Sequence, residues 1–186
     1  EIWQAFPVEE RANLISLFLK FDIETKHSAM SGEMVSLGME TIKIPSRIYW
    51  KPSYSLNNAK LTIAEKEIIN CIFSRHDNGF VRQKAIRNII DSDKNWVIPY
   101  ILRITGEYVI EILIDIDTRF EMINARNLVS FIKENPAFYN RTRARVQSYW
   151  NCYYRRQYPE KIRNIKVSEE QRYVGFRLLN KIENLL

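Results

Sequence analysis

Residues 96–120, WVIPYILRITGEYVIEILIDIDTRF, are almost all aliphatic or aromatic, yet Arg103, Glu107, Glu111, Asp115 and Arg119 interrupt them at strict four-residue spacing. On a helix that spacing draws one polar line down one face. Carboxylates in such a line can act as general acids and bases, hold a metal, or form a structural ion-pair stripe. A di-iron type of site in a helical bundle needs Glu-x-x-His on facing helices. Neither His27 nor His76 stands in such a motif. No metal or cofactor is therefore expected, and the line reads as a structural stripe. His76 beside Asp77 suggests an acid–base pair, but adjacent residues on a turn usually point apart, and a turn or cap role is expected. The chain has no Gly-rich phosphate loop, His-Glu-x-x-His, Gly-x-Ser-x-Gly or Cys-x-x-Cys, so no catalytic residue is assigned.

A second charged array lies toward the other end. Residues 138–177 carry ten basic residues (Arg141, Arg143, Arg145, Arg155, Arg156, Lys161, Arg163, Lys166, Arg172, Arg177) against Glu160, Glu169 and Glu170. Ten minus three leaves +7 there, so a net charge of +6 leaves −1 for the remainder. Arg141, Arg145, Arg155 and Arg156 recur along one side of a helix expected over 137–157. Matching spacing predicts that the acidic line faces this basic one, with Glu107 and Glu111 paired to C-terminal arginines. Pairs of this kind fix register more than they add stability. Cations left over, with an aromatic ring among them, become candidate binding residues: Arg141, Arg145, Tyr149, Arg155, Arg156 and Arg163. Arg interleaved with Tyr and Trp makes nucleic-acid contacts, where cations meet phosphates and rings stack on bases. The same composition makes protein interfaces.

The elements that must position these residues follow from the rest of the chain. Its 186 residues, 46% hydrophobic and 27% charged, suit one globular domain with a sizeable core. The apolar 96–114 window is long enough for a bilayer, but Arg103, Glu107 and Glu111 would be costly in one, so no membrane span is expected. Two cysteines, Cys71 and Cys152, make no disulfide framework and read as buried free thiols, which places the chain in the cytoplasm. No secretory signal stands at the start, although the first residue is Glu1 and a trimmed leader stays open.

Residues 7–20 read as a first helix, with Pro7 in its first turn and Leu14, Leu17 and Phe18 inward. Residues 22–58 read as an extended arm or hairpin in which Val35, Leu37 and Met39, then Ile42 and Ile44, then Ile48 and Trp50 alternate. From residue 61 onward the period is helical. Thr62 with Glu65 forms a capping box. Helices are expected over 62–74, 80–90, 96–120 (with a kink at Gly106), 121–135, 137–157 and from Ser168 to the end. In the second, Arg82, Lys84 and Arg87 form the outward face. Pairing gives three antiparallel units, 61–90, 96–134 and 137–186, each about the length of a two-helix repeat.

The stretch HDNGFVRQKAIRNII resembles the HEAT repeat. That family has an Asp in the turn, Val-Arg opening the second helix, and small and aliphatic core residues after it. Asp77, Val81, Arg82, Ala85 and Ile89 match in order. The resemblance implies stacked helix pairs and gives Asp77 and Arg82 the role of tying neighbouring repeats together. The other two units lack the signature, so a compact HEAT-like bundle and a regular solenoid stay open. The segment FVR…WVIPYILRITGEYVIEI also resembles uncharacterised bacterial proteins, a likeness that brings no activity. A HEAT-like fold supports base excision in one DNA glycosylase group, which needs an exposed carboxylate flanked by aromatics, and Glu107 beside Tyr108 is the candidate here.

The expectation is an all-α, HEAT-like single domain, with a helix and extended arm over 1–58 and a helical body over 59–186. Its expected function is non-enzymatic binding of a protein partner or of itself. Nucleic-acid binding through the basic aromatic surface is the alternative, and an enzyme comes third.

Overall fold

Period-two alternation in one short stretch and helical periods elsewhere separate a single hairpin from a set of helices. The computed structural model describes residues 2–21, 31–49, 60–159, 168 and 171–186. Of the residues singled out above, Glu1, His27, Trp50, Glu160, Lys161, Arg163, Lys166, Glu169 and Glu170 lie outside the described residues.

The hairpin pairs β1 (Gly32–Leu37) with β2 (Glu40–Pro45), Val35 opposite Ile42 and Glu33 opposite Ile44. Gly38, at φ 61°, opens the two-residue turn, a left-handed conformation that glycine adopts without a Cβ clash. Val35, Ile42 and Ile44 are buried. Met39 sits at the turn and is fully exposed, so the inward apolar series ends at Leu37. The helical body grips the hairpin through polar contacts as well. Asn135 accepts from Ser36 N–H at 2.8 Å and donates to Ser36 O at 2.9 Å. Val8 N–H donates to the Glu40 carboxylate at 2.9 Å. Beyond β2, Ile48 pairs with the 75–77 turn: its N–H donates to Arg75 O at 2.7 Å, and its carbonyl accepts from Asp77 N–H at 3.0 Å.

The helices are α1 (Arg11–Phe21), α2 (Ile63–Phe73), α3 (Gly79–Arg87), α4 (Ile98–Thr105), α5 (Ile110–Thr118), α6 (Ala125–Glu134), α7 (Pro136–Tyr149) and α8 (Val174–Glu183). Short 3-10 turns at Ile2–Ala5 and Val8–Glu10 precede α1, which therefore begins later than Pro7. The Thr62–Glu65 capping box is present at α2, and Asn78 caps α3. Pro136 occupies the first turn of α7 rather than merely ending α6. α8 starts at Val174, not at Ser168. α1 packs on α2, α2 on α3, α3 on α5 and α5 on α8, while α4 packs on α6 and α7. The chain is thus mostly helical with one two-stranded sheet. Among the described residues, no helix is long and apolar enough to cross a membrane.

Three expectations need correction. The 96–120 segment is two helices, because α4 ends at Gly106 (φ −86°, ψ 40°) and α5 restarts at Ile110. α7 passes over this break so closely that a Cβ on Gly106 would lie 3.3 Å from Thr142 Cγ2 and 3.4 Å from Arg145 Cβ. Arg82 is buried, not outward. It shares the 82–85–86–89 face with Ala85, Ile86 and Ile89, all buried, as three- and four-residue spacing requires. Cys71 is buried, but Cys152 is exposed. It lies on a π-helical extension of α7, Trp150–Tyr154, whose inward place is taken by Trp150.

Candidate functional site

The break at Gly106 divides the charged line into three separate environments. Glu107 lies in the connector between α4 and α5 and is 4% exposed. Its Oε2 is 2.7 Å from Arg82 Nε and 3.5 Å from Arg47 Nη1, and its Oε1 accepts from Tyr108 N–H at 3.1 Å. Arg82 is as deep, and its Nη1 donates to His76 O at 2.9 Å and Asp77 O at 2.8 Å. Its Nε–H is not aligned for a hydrogen bond despite the short ion-pair distance, and among the described residues its Nη2 has no hydrogen-bond partner. Arg75, also buried, gives its donors to the carbonyls of Pro45, Ser46 and Ser74. Burial, then the neighbouring Arg103 and Arg47 guanidiniums, pull the Arg75 pKa down to about 9. This desolvation and like-charge repulsion disfavour the charged form.

Arg103, one turn before the break, points away from Glu107 toward the hairpin. Its Nη1 is 3.1 Å from Glu33 Oε2. Arg145 Nη2 reaches the same oxygen at 3.3 Å, and Arg141 Nε pairs with Glu33 Oε1. Glu33 lies two residues before Val35, so strand alternation turns it toward the body. There it gathers three arginines. Burial, with Arg145 alongside, lowers the Arg103 pKa to about 10. Arg141 and Arg145 thus meet Glu33, not Glu107 or Glu111. Among the described residues the expected pairing of acidic line with basic line is not seen, because the break turns the carboxylates after it to other elements.

Asp115 accepts from Gln83 at 2.7 Å and from Arg87 at 2.8 Å, tying α5 to α3. Glu111 is exposed and makes no ion pair among the described residues. Arg119 keeps a buried Nη1 without a partner among those residues. Asp117, outside the four-residue series, is the carboxylate that does meet the C-terminal region: Arg177 lies at 2.7 Å and Lys181 at 2.9 Å.

The end of α7 carries a different arrangement. Tyr108, Tyr149 and Tyr153 form a ring cluster with centroids 5.7, 6.1 and 6.2 Å apart. Tyr108 is 43% and Tyr153 65% exposed. The π-helical turn anchors the cluster from behind. Trp150 is buried and donates to Tyr158 O at 2.8 Å, while Tyr154 donates to Tyr108 O at 2.7 Å and stacks on Tyr173. Such insertions in helices recur where a side chain is re-aimed for function. Arg155 and Arg156 follow on the outer face. Arg155 donates to Asn151 at 3.3 Å, and neither arginine meets a carboxylate among the described residues.

His76 and Asp77 do not point apart: His76 Nδ1 is 2.9 Å from Asp77 Oδ1 and also accepts from Asn78 N–H at 2.9 Å. The pair closes the α2–α3 turn. Among the described residues, no group of three or more His, Cys, Asp or Glu could hold a metal ion. Glu107 fails the requirement for an exposed glycosylase carboxylate, being buried and held by Arg82 and Arg47.

Comparison with protein-family models, curated proteins and solved structures finds no match to this chain. The residues that sequence reasoning missed are Arg47, Arg75, Glu33 and Asp117. Glu33 alone carried a local signal, its place on the inward side of an alternating strand.

Proposed function

We propose that the chain is a non-enzymatic binding module on a HEAT-like helical scaffold, and that a protein partner docks on Tyr108, Tyr149, Tyr153, Arg155 and Arg156. The exposed tyrosine cluster beside two arginines that meet no carboxylate among the described residues carries this reading, since Tyr and Arg dominate the energetic centres of protein interfaces. A packed row from α1 through α2, α3 and α5 to α8 supports HEAT-like stacking. Free thiols at Cys71 and Cys152 support a cytoplasmic setting.

Nucleic acid is the second reading and is weaker. A phosphate track needs several unneutralised cations. Here Asp117 pairs with Arg177 and Glu183 with Arg143, and Arg141 and Arg145 turn to Glu33 on the hairpin rather than extending a track from Arg155 and Arg156.

Cys152 provides the test, because it is exposed next to Tyr153 while Cys71 is buried. A benzophenone placed on Cys152 and irradiated in cell extract is expected to give one dominant protein adduct. Tyr153→Ala with Arg156→Glu should abolish it. Adducts to nucleic acid, with binding lost steeply between about 50 and 200 mM salt, would replace the proposal with the second reading.

A further inference from the structure

Around the Gly106 break, Arg47, Arg75, Arg82, Arg103, Arg141 and Arg145 share two carboxylates, Glu33 and Glu107. Among the described residues, six cations less two anions leave four positive charges in excess. Asp77, whose carbonyl Arg82 holds, turns its carboxylate to His76 instead. The cluster is not a solvated surface patch. Arg75 and Arg82 are 3% and 1% exposed, the side chains of Arg103, Arg47 and Arg145 are 12%, 28% and 28% exposed, and Arg141, at 49%, forms the cluster's outer edge. Buried cations outnumbering their counter-charges are costly, because desolvation is then not offset by pairing. Two buried donors, Arg82 Nη2 and Arg145 Nη1, have no hydrogen-bond partner among the described residues, which adds to that cost.

We propose that this arginine seam binds a phosphate-type dianion, held at its partly exposed rim by Arg47, Arg103 and Arg145 with Arg75 and Arg82 beneath. A tetrahedral oxyanion supplies two charges and several acceptors for guanidinium forks. A lone carboxylate supplies one charge and is already represented twice. Tyr149, close enough to Arg103 to act on its charge, borders the rim. The site therefore takes either free phosphate or a phosphoryl group on a larger molecule. It adjoins the docking surface at Tyr149 but shares no arginine with it, so its loss would leave that reading standing.

The test is titration of the intact chain with inorganic phosphate by calorimetry, with acetate and chloride at equal ionic strength as controls. Saturable binding specific to phosphate is expected. Arg145→Gln should weaken it roughly tenfold or more, the loss of one charge-assisted contact, because Arg103 and Arg141 still hold Glu33. Arg47→Gln should weaken it similarly, and Lys84→Gln, exposed and outside both the seam and the docking surface, should leave it unchanged. A thermal melt of each variant identifies any that fails to fold, and the remaining one then decides. No phosphate binding above the chloride control, acetate binding as tightly, or an equal loss in Lys84→Gln would overturn the proposal. If phosphate binds, a serine phosphopeptide matched against its unphosphorylated form identifies the source. Discrimination marks a phosphoryl group on a partner, and phosphate binding without it marks the free anion.

Discussion

Two buried carboxylates in this molecule live under opposite charge balances. Glu65 lies between α1 and α2, 1% exposed. It meets one cation, Lys20 at 2.5 Å, one hydroxyl, Ser16 at 2.7 Å, and the Thr62 N–H of its own capping box at 2.8 Å. Burial pushes its pKa up, but the hydrogen bonds from Lys20, Ser16 and Thr62 outweigh it and hold the group at about 2, against an ordinary 4.5. Glu107 is also buried but meets two arginines, Arg82 and Arg47, and the Nη2 of Arg82 keeps an unused donor among the described residues. The comparison separates two uses of buried charge. A closed, balanced set joins helices and asks for nothing further. In an unbalanced set, burial and then like-charge repulsion pull members' pKa values down, as at Arg75 and Arg103, and the set retains capacity for another anion.

Substitutions test that contrast, and the largest effect is expected at the unbalanced centre. Arg82→Met removes the closest partner of Glu107 and leaves the His76 and Asp77 carbonyls short of a donor. Urea unfolding should show a loss of about 3 kcal/mol, the low end for a broken buried pair because Arg47 remains nearby. Saturating phosphate should raise the melting temperature of the wild type and do so less for this variant. An equal rise in both would break the contrast.

Glu65→Ala is expected to cost about 2–3 kcal/mol through the lost cap and the unpaired Lys20, with its response to phosphate unchanged. The wild-type contribution is linked to pH. The folded pKa lies below the unfolded one, so this stability is complete above about pH 4.5 and disappears as pH falls toward about 2. Glu65→Gln should flatten that part of the stability–pH curve, and an unaltered curve would remove Glu65 from the account.

Asn135→Ala breaks both hydrogen bonds to Ser36 and should cost about 1–2 kcal/mol, read from the same unfolding curves. A cost near zero would mean that the apolar face of Val35, Ile42 and Ile44 and the Glu33 and Glu40 contacts hold the hairpin without Asn135. The smallest stability effect belongs to Arg156→Ala, within about 0.5 kcal/mol, while photocrosslinking from Cys152 should fall. A large loss of stability there would show that this arginine is structural.

Local patterns made much of the architecture legible. The Thr62–Glu65 spacing marked a helix start, the alternation of Val35 with Leu37 and of Ile42 with Ile44 marked the hairpin, and Asp77-Asn78-Gly79 marked a turn. The four-residue charged line misled because spacing describes one helix only while that helix continues. Gly106 was visible, but the crossing of α7 above it, which favours the absence of a Cβ, was not. Arg82 looked outward because charged side chains are seldom buried. Its buried role depends on Glu107 from a different element. Glu33 could be placed on the inward face of its strand, yet its partners lie far away in sequence. The tyrosine cluster was half legible: Tyr149 and Tyr153 share a helical face, whereas Tyr108 joins them only through the fold.

The latch on the hairpin also sets an order of events. Glu33 contacts Arg145 across 112 residues, and Ser36 contacts Asn135 across 99. Contacts that close such long loops form late, because chain entropy must be overcome before they contribute. During synthesis the hairpin would emerge with its inward carboxylate unpaired and wait, at common elongation rates, on the order of ten seconds for α7. Weakening the latch should then speed unfolding and barely change folding, giving φ-values near zero at Ser36 and Asn135. Values near one would place the hairpin in the folding nucleus instead.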